Sequence, residues 1–104
     1  MTNPFRGEVS LVVNGRPCTM RLSLGALAEL EASLGTAGLL PLIERFENSA
    51  FTAADLIALL FAGLKGGGWE GSREDLDSAE IDGGIVQAAK TAGEMLALAF
   101  ALPE

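Results

Sequence analysis

The chain has no histidine and no tyrosine, so the commonest general base and the phenolic acid are both missing from its chemistry. It has one cysteine, Cys18, which cannot close a disulfide within the chain, and so low a count does not argue for an oxidising compartment. Basic residues are scarce: 7 Lys and Arg stand against 14 Asp and Glu, a net charge of −7. Phosphate backbones are held by clustered Lys and Arg, so nucleic acid is not expected as a partner. Long apolar runs are missing too. The longest uncharged run, Ala32 to Ile43, is broken by Gly35, Gly38 and Pro41, short of the ~18 apolar residues of a spanning helix. The opening Met1-Thr2-Asn3-Pro4-Phe5-Arg6 lacks the apolar stretch of a signal peptide. A cytoplasmic protein with no membrane contact is expected.

What the chain does have is apolar residues: 49% of 104 residues are hydrophobic and only 20% are charged. A chain of this length forms one domain and buries roughly two-thirds of its unfolded surface, enough for a modest core without disulfide or metal. Part of the apolar surplus is expected on the surface, where a contiguous patch marks an interaction site. Charge is unevenly spread. Met1 to Leu24 holds Arg6, Arg16 and Arg21 against Glu8, so the remainder carries net −9.

Asn14-Gly15 is the strongest short hairpin signal. With that pair at the tip, facing residues have numbers summing to 29: Leu11 faces Cys18, Val9 faces Met20 and Glu8 faces Arg21. Leu11, Cys18, Val9, Met20 and Leu22 then share one face, with Ser10 and Thr19, and Glu8 and Arg21, paired on the other. A slip of one residue would expose the apolar set. This register makes Cys18 a small core residue.

Helical spacing follows without a linker. Leu27, Leu30 and Leu34 give a first helix ending at Gly35. Leu39, Leu40, Ile43 and Phe46 give a second, with Pro41 tolerated in its first turn. The third has the clearest start: Thr52 caps, Asp55 can bond back to the Thr52 amide, and Phe51 can pack on Leu56. Its body, Leu56 to Ala62, is apolar nearly all round, the mark of a central core helix, and Lys65 with Gly66-Gly67-Gly68 ends it. Ser72 and Asp75 repeat the capping pattern before a short acidic helix. The last segment carries Ile85, Ala89, Ala92, Leu96 and Phe100 on one stripe, with Lys90 and Glu94 as an i,i+4 pair opposite and Leu98 and Leu102 widening it. The predicted fold class is α+β, an N-terminal antiparallel two-stranded β-hairpin packed against four to five α-helices. The hairpin covers about 7–24, and the helices about 25–34, 39–47, 53–65, 73–79 and 84–102, in a single domain.

Catalytic and cofactor motifs fail on inspection. Gly66-Gly67-Gly68-Trp69-Glu70-Gly71 satisfies G-x-G-x-x-G, but that fingerprint needs a strand before it and a helix opening at it; here a helix precedes. Gly63 and Gly68 have phosphate-loop spacing, yet Trp69 stands where Lys is required. The glycines read as a flexible helix terminator. In the acidic run Glu74, Asp75, Asp77, Glu80 and Asp82, a calcium loop opening at Asp75 would need Gly where Glu80 stands, so a solvated face is the better account. Asp77-Ser78 is similar to the attachment site of acyl carrier proteins but lies too late in the chain and after a hairpin. Glu29 and Glu31 do not share a helix face. No enzyme activity, cofactor or metal is expected.

The series Arg6-Gly7-Glu8-Val9, Asn14-Gly15-Arg16-Pro17, Leu22 through Glu31 and Ala62 through Gly68 resembles the small tail assembly chaperone-like proteins of gene transfer agents and related siphophage-like prophages. Such proteins have also been called tail tube proteins. The likeness spans most of the chain and is weakest from Trp69 to Asp82. It implies a phage-like tail assembly factor that holds the largely helical tape-measure protein soluble while tail tube subunits polymerise. Tape measure and tube subunits would be its partners, with a homo-oligomer also open. Two other readings stand beside it, a structural subunit of the tail tube and a small acidic regulatory or carrier protein. The candidate partner-binding residues are Trp69, Leu96, Phe100 and Leu102. Trp69, beside three glycines, either folds back onto the core or stands out as an aromatic anchor.

Overall fold

Asn14 and Gly15 adopt left-handed backbone, with φ 52° and 80°. These are the two positive values of a type I′ turn, and they fix the register on either side. The computed structural model describes residues 7–34 and 40–99. In it β1 (Val9–Val13) pairs antiparallel with β2 (Arg16–Met20), Val9 opposite Met20, Ser10 opposite Thr19 and Leu11 opposite Cys18, as the sequence predicts. Glu8 and Arg21 follow one residue past the last pair. Val9, Leu11, Val13 and Met20 are buried on one face, while Ser10 is exposed on the other. Cys18 departs from expectation. It is half-buried, packed at the margin of the core with its thiol donating to the Arg16 carbonyl at 3.5 Å.

A two-stranded ribbon cannot stand alone, and helices cover its apolar face. Five follow in order: α1 (Leu24–Leu34), α2 (Leu40–Glu47), α3 (Ala53–Gly66), α4 (Arg73–Asp77) and α5 (Gly84–Ala99). The fold is α+β. α3 is central and packs on α1, β2, α5 and α4; α5 also lies against β1 and α2. Its near-continuous apolar sequence explains that position, with Leu56, Ala58, Leu59, Leu60, Ala62 and Leu64 all buried.

The ends of α3 are fixed locally. Thr52 Oγ1 accepts the Asp55 amide at 3.1 Å and Asp55 Oδ2 accepts the Thr52 amide at 3.0 Å, a complete capping box. Phe51 stacks on Phe46 of α2, ring centres 4.6 Å apart. At the other end the Trp69 amide donates to the Leu64 carbonyl at 2.8 Å and the Gly68 amide to the Lys65 carbonyl at 3.1 Å, with Gly68 at φ 96°. This is a Schellman closure. Gly66 and Gly67 serve differently: a Cβ at Gly66 would overlap the Arg21 carbonyl, and one at Gly67 the Thr19 carbonyl. The triplet read as a flexible terminator is thus an ordered contact between the end of α3 and β2.

Two apolar stripes differ in phase from the sequence reading. In α2 the fully buried residue is Leu42, with Ile43 and Phe46 at the core margin; Leu39 lies outside the described residues. In α5 the core face is Ala88, Thr91, Ala92, Met95 and Leu96, whereas Ile85 is 62% exposed. Packing explains the shift. α5 approaches α3 closely, and Met95 occupies the space that a side chain at Gly63 would need, so small residues and a flexible thioether suit the contact better than a β-branched Ile. α4 stops at Asp77 rather than Ala79. Lys90 and Glu94 are both exposed, as expected, but form no ion pair with each other.

Candidate interaction surface

Asp55 is the most constrained ionisable group. It is 7% exposed, and burial alone would raise its carboxyl; the Thr52 amide and the Arg45 guanidinium outweigh that and hold it below the ordinary 3.8. Both its oxygens are engaged in joining α2 to α3, which is structural rather than chemical work. Asp75 is held down by the Ser72 amide in a second capping box. Among the described residues no group of three or more His, Cys, Asp or Glu could hold a metal ion.

The more open surface is the outer side of α5. Ile85 is 62% and Val86 77% exposed there, and Val86, Gly93 and Ala97 recur at i, i+7 and i+11 on the face away from α3. On one flank, between α2 and α5, lies a groove of about 260 Å³ lined by Ile43, Phe46, Glu47, Gly93, Leu96 and Ala97. On the other flank, between β1 and α5, lies a groove of about 470 Å³ lined by Val9, Ser10, Gln87, Glu94 and Leu98 among others. Gly93 is the notable residue. It sits inside a helix, where glycine costs about 1 kcal/mol relative to alanine, yet a Cβ there would meet nothing within 4 Å. The fold itself does not ask for glycine at this position.

The residues singled out from sequence are distributed as follows. Trp69 is half-buried and meets Phe61 edge-on, centroids 6.5 Å apart, while Lys65 and Arg73 lie 5.5 and 5.9 Å from the same Phe61 ring. Its ring also lies where a Cβ at Gly71 would stand. Leu96 is 3% exposed and belongs to the core, its edge forming part of the α2–α5 groove wall. Phe100 and Leu102 lie outside the described residues. Sequence reasoning missed Gly93 and the groove beside it; the signal was Ala89, Gly93 and Ala97 at four-residue spacing, which reads as ordinary small-residue filler until the helix is rotated correctly.

No helix among the described residues is long and apolar enough to cross a membrane. No curated protein and no solved structure matches the chain. A family model does match, over residues 6–102, nearly the whole length. The chain belongs to the phage tail protein family described as phage tail tube protein, GTA-gp10.

Proposed function

We propose that this tail protein is a non-enzymatic assembly factor that binds the tape-measure protein and keeps it in solution in the cytoplasm while tube subunits polymerise. The observation that carries the reading is the α2–α5 groove with Gly93 in its wall. A helix-interior glycine with free space above it lets another helix approach closely, and a mainly helical partner supplies that helix. The small sheet supports the same reading. The described residues contain two five-residue strands in one hairpin, little material for a tube wall built from extended sheets. A net charge of −7 keeps copies of the factor apart in solution.

Co-expression with the tape-measure protein tests this. More soluble tape measure and a recoverable complex are expected, with the small protein absent from finished particles. Gly93→Leu fills the groove from a position where an added Cβ meets nothing within 4 Å, so it should abolish the complex while circular dichroism and the thermal melt stay at least as good as the parent's. Unchanged tape-measure solubility together with stoichiometric presence in particles would overturn the proposal in favour of a tube subunit.

A further inference from the structure

The hairpin has two outer edges, and they end differently. On β2 the outward main-chain groups belong to Pro17, which has no amide to offer, and to Thr19 and Arg21. The Arg21 amide donates to the Gly63 carbonyl at 2.9 Å, and the Thr19 carbonyl faces Gly67 at a distance no Cβ would allow, so the end of α3 covers that edge. On β1 the alternation of an antiparallel ladder turns Ser10, Val12 and Asn14 outward. The Asn14 amide donates to the Glu80 carbonyl at 2.8 Å and the Asp82 amide to the Val12 carbonyl at 3.1 Å, and Asn14 Oδ1 accepts the Glu80 amide at 2.8 Å. Residues 80–82 therefore begin a third antiparallel strand, with Ile81 bridged to Val13. It stops after that one bridge, because Gly83 and Gly84, at φ 83° and 67°, turn the chain into α5. Beyond it, the N–H and C=O of Ser10 and the N–H of Val12 meet no hydrogen-bond partner among the described residues.

We propose that this stretch of β1 receives its third strand from another protein: an extended, basic segment of a partner adds beside Ser10 and continues the line that residues 80–82 start. Outward donors and acceptors at strand spacing are a template for strand addition. The side of a helix cannot answer them along a strand's length, since its main-chain groups are spent within it and only the end carbonyls are free, as Gly63 shows at the β2 edge. The 470 Å³ groove between β1 and α5 provides the room; Val9 and Leu98 offer apolar contact for alternate side chains, and the exposed Glu94 supplies a carboxylate for a cation, with Glu8 also in the lining. The same charges argue against a second copy of this chain, because edge-to-edge pairing of two β1 strands would bring the acidic walls of both copies together. The inference holds whichever tail component supplies the segment.

The test is a titration of the isotope-labelled full chain with a capped seven-residue peptide of alternating valine and threonine carrying one central lysine, followed by amide NMR. The Ser10 and Val12 amides should shift, and their hydrogen exchange should slow by at least about tenfold at saturation. Backbone N-methylation of the peptide on the edge facing β1 should weaken binding by roughly tenfold or more, and methylation of its other edge should not. Glu94→Lys, at an exposed position, should also weaken it, and replacing the peptide's lysine by glutamate should do the same. Three outcomes would overturn the proposal. They are equal binding of both methylated peptides, shifts confined to α2 and α5, and protection of Ser10 that rises with protein concentration in the absence of peptide, which would make the occupant a second copy.

Discussion

Arg45 grips both oxygens of Asp55, Nε to Oδ2 at 2.9 Å and Nη2 to Oδ1 at 3.1 Å. The paired geometry ties α2 to the first turn of α3 across ten residues of sequence. Arg45→Ala leaves a nearly buried carboxylate with only its capping bond, and we expect a loss of about 1–3 kcal/mol in urea denaturation. Asp77→Ala is the control: its pair with Arg73 spans 3.8 Å with both partners well exposed, and it should change stability by less than about 0.5 kcal/mol.

Acid should unfold the protein through the same carboxylates. The folded-state pKa values of Asp55 and Asp75 both lie below their ordinary 3.8, so each stabilises the fold above the unfolded value and loses that contribution as pH falls through the folded value. With no histidine in the chain, no side chain of ordinary pKa titrates between about pH 5 and 8. Thermal midpoints should be nearly level from about pH 7 to 5 and fall steadily below about pH 4. Asp55→Asn should lower the plateau and flatten the descent.

Ser49 stands at φ 54° immediately after α2, where the Ala50 amide reaches the Arg45 carbonyl at 2.8 Å and its own amide reaches the Phe46 carbonyl at 3.3 Å. The position repeats the closure that Gly68 makes after α3. Glycine enters this left-handed region without a Cβ penalty, so Ser49→Gly should raise stability by about 0.5–1 kcal/mol, read from the denaturation midpoint.

Gly67→Ala should act in the opposite sense. A methyl there collides with the Thr19 backbone, which cannot give way as a side-chain end would, and a loss of about 1–3 kcal/mol is expected. Gly25→Ala, in the first turn of α1 with only Ser23 Oγ at 3.9 Å, should gain up to about 1 kcal/mol. Denaturation of both variants side by side separates close contact from helix propensity.

Leu59 is fully buried in α3, while Ile85 is 62% exposed on α5. Leu59→Ala should cost about 2–5 kcal/mol and Ile85→Ala less than about 0.5. Equal losses would mean that α5 turns its other face to the core.

The hairpin was legible because Asn14-Gly15 and strict alternation each specify the same register, and Thr52 with Asp55 marked the start of α3 by a local hydrogen-bond exchange that needs no distant partner. The phase of α5 was not legible. Ile85 and Val86 dominate any count of apolar residues, yet what decides the inward face is how closely α3 approaches, and that depends on Gly63 and Met95, far apart in sequence. Gly66 and Gly67 were misread for the same reason: a glycine run looks identical whether it is loose or pressed, as here, against the backbone of Arg21 and Thr19, far away in sequence. Of the candidate binding residues, Trp69 was a balanced choice between core and surface, and the structure gives it a half-buried seat against Phe61; the groove beside Gly93 left only the four-residue spacing of Ala89, Gly93 and Ala97, which looks the same in a helix packed for its small residues.

Pressing glycines against the β2 edge has one more effect. A ribbon open on both sides can pass pairing from molecule to molecule and grow into a fibre. This one meets the end of α3 at Thr19 and Arg21, which leaves pairing to the β1 side of the ribbon. A hairpin that pairs on one side alone cannot be an interior link of a fibre built by joining ribbon to ribbon.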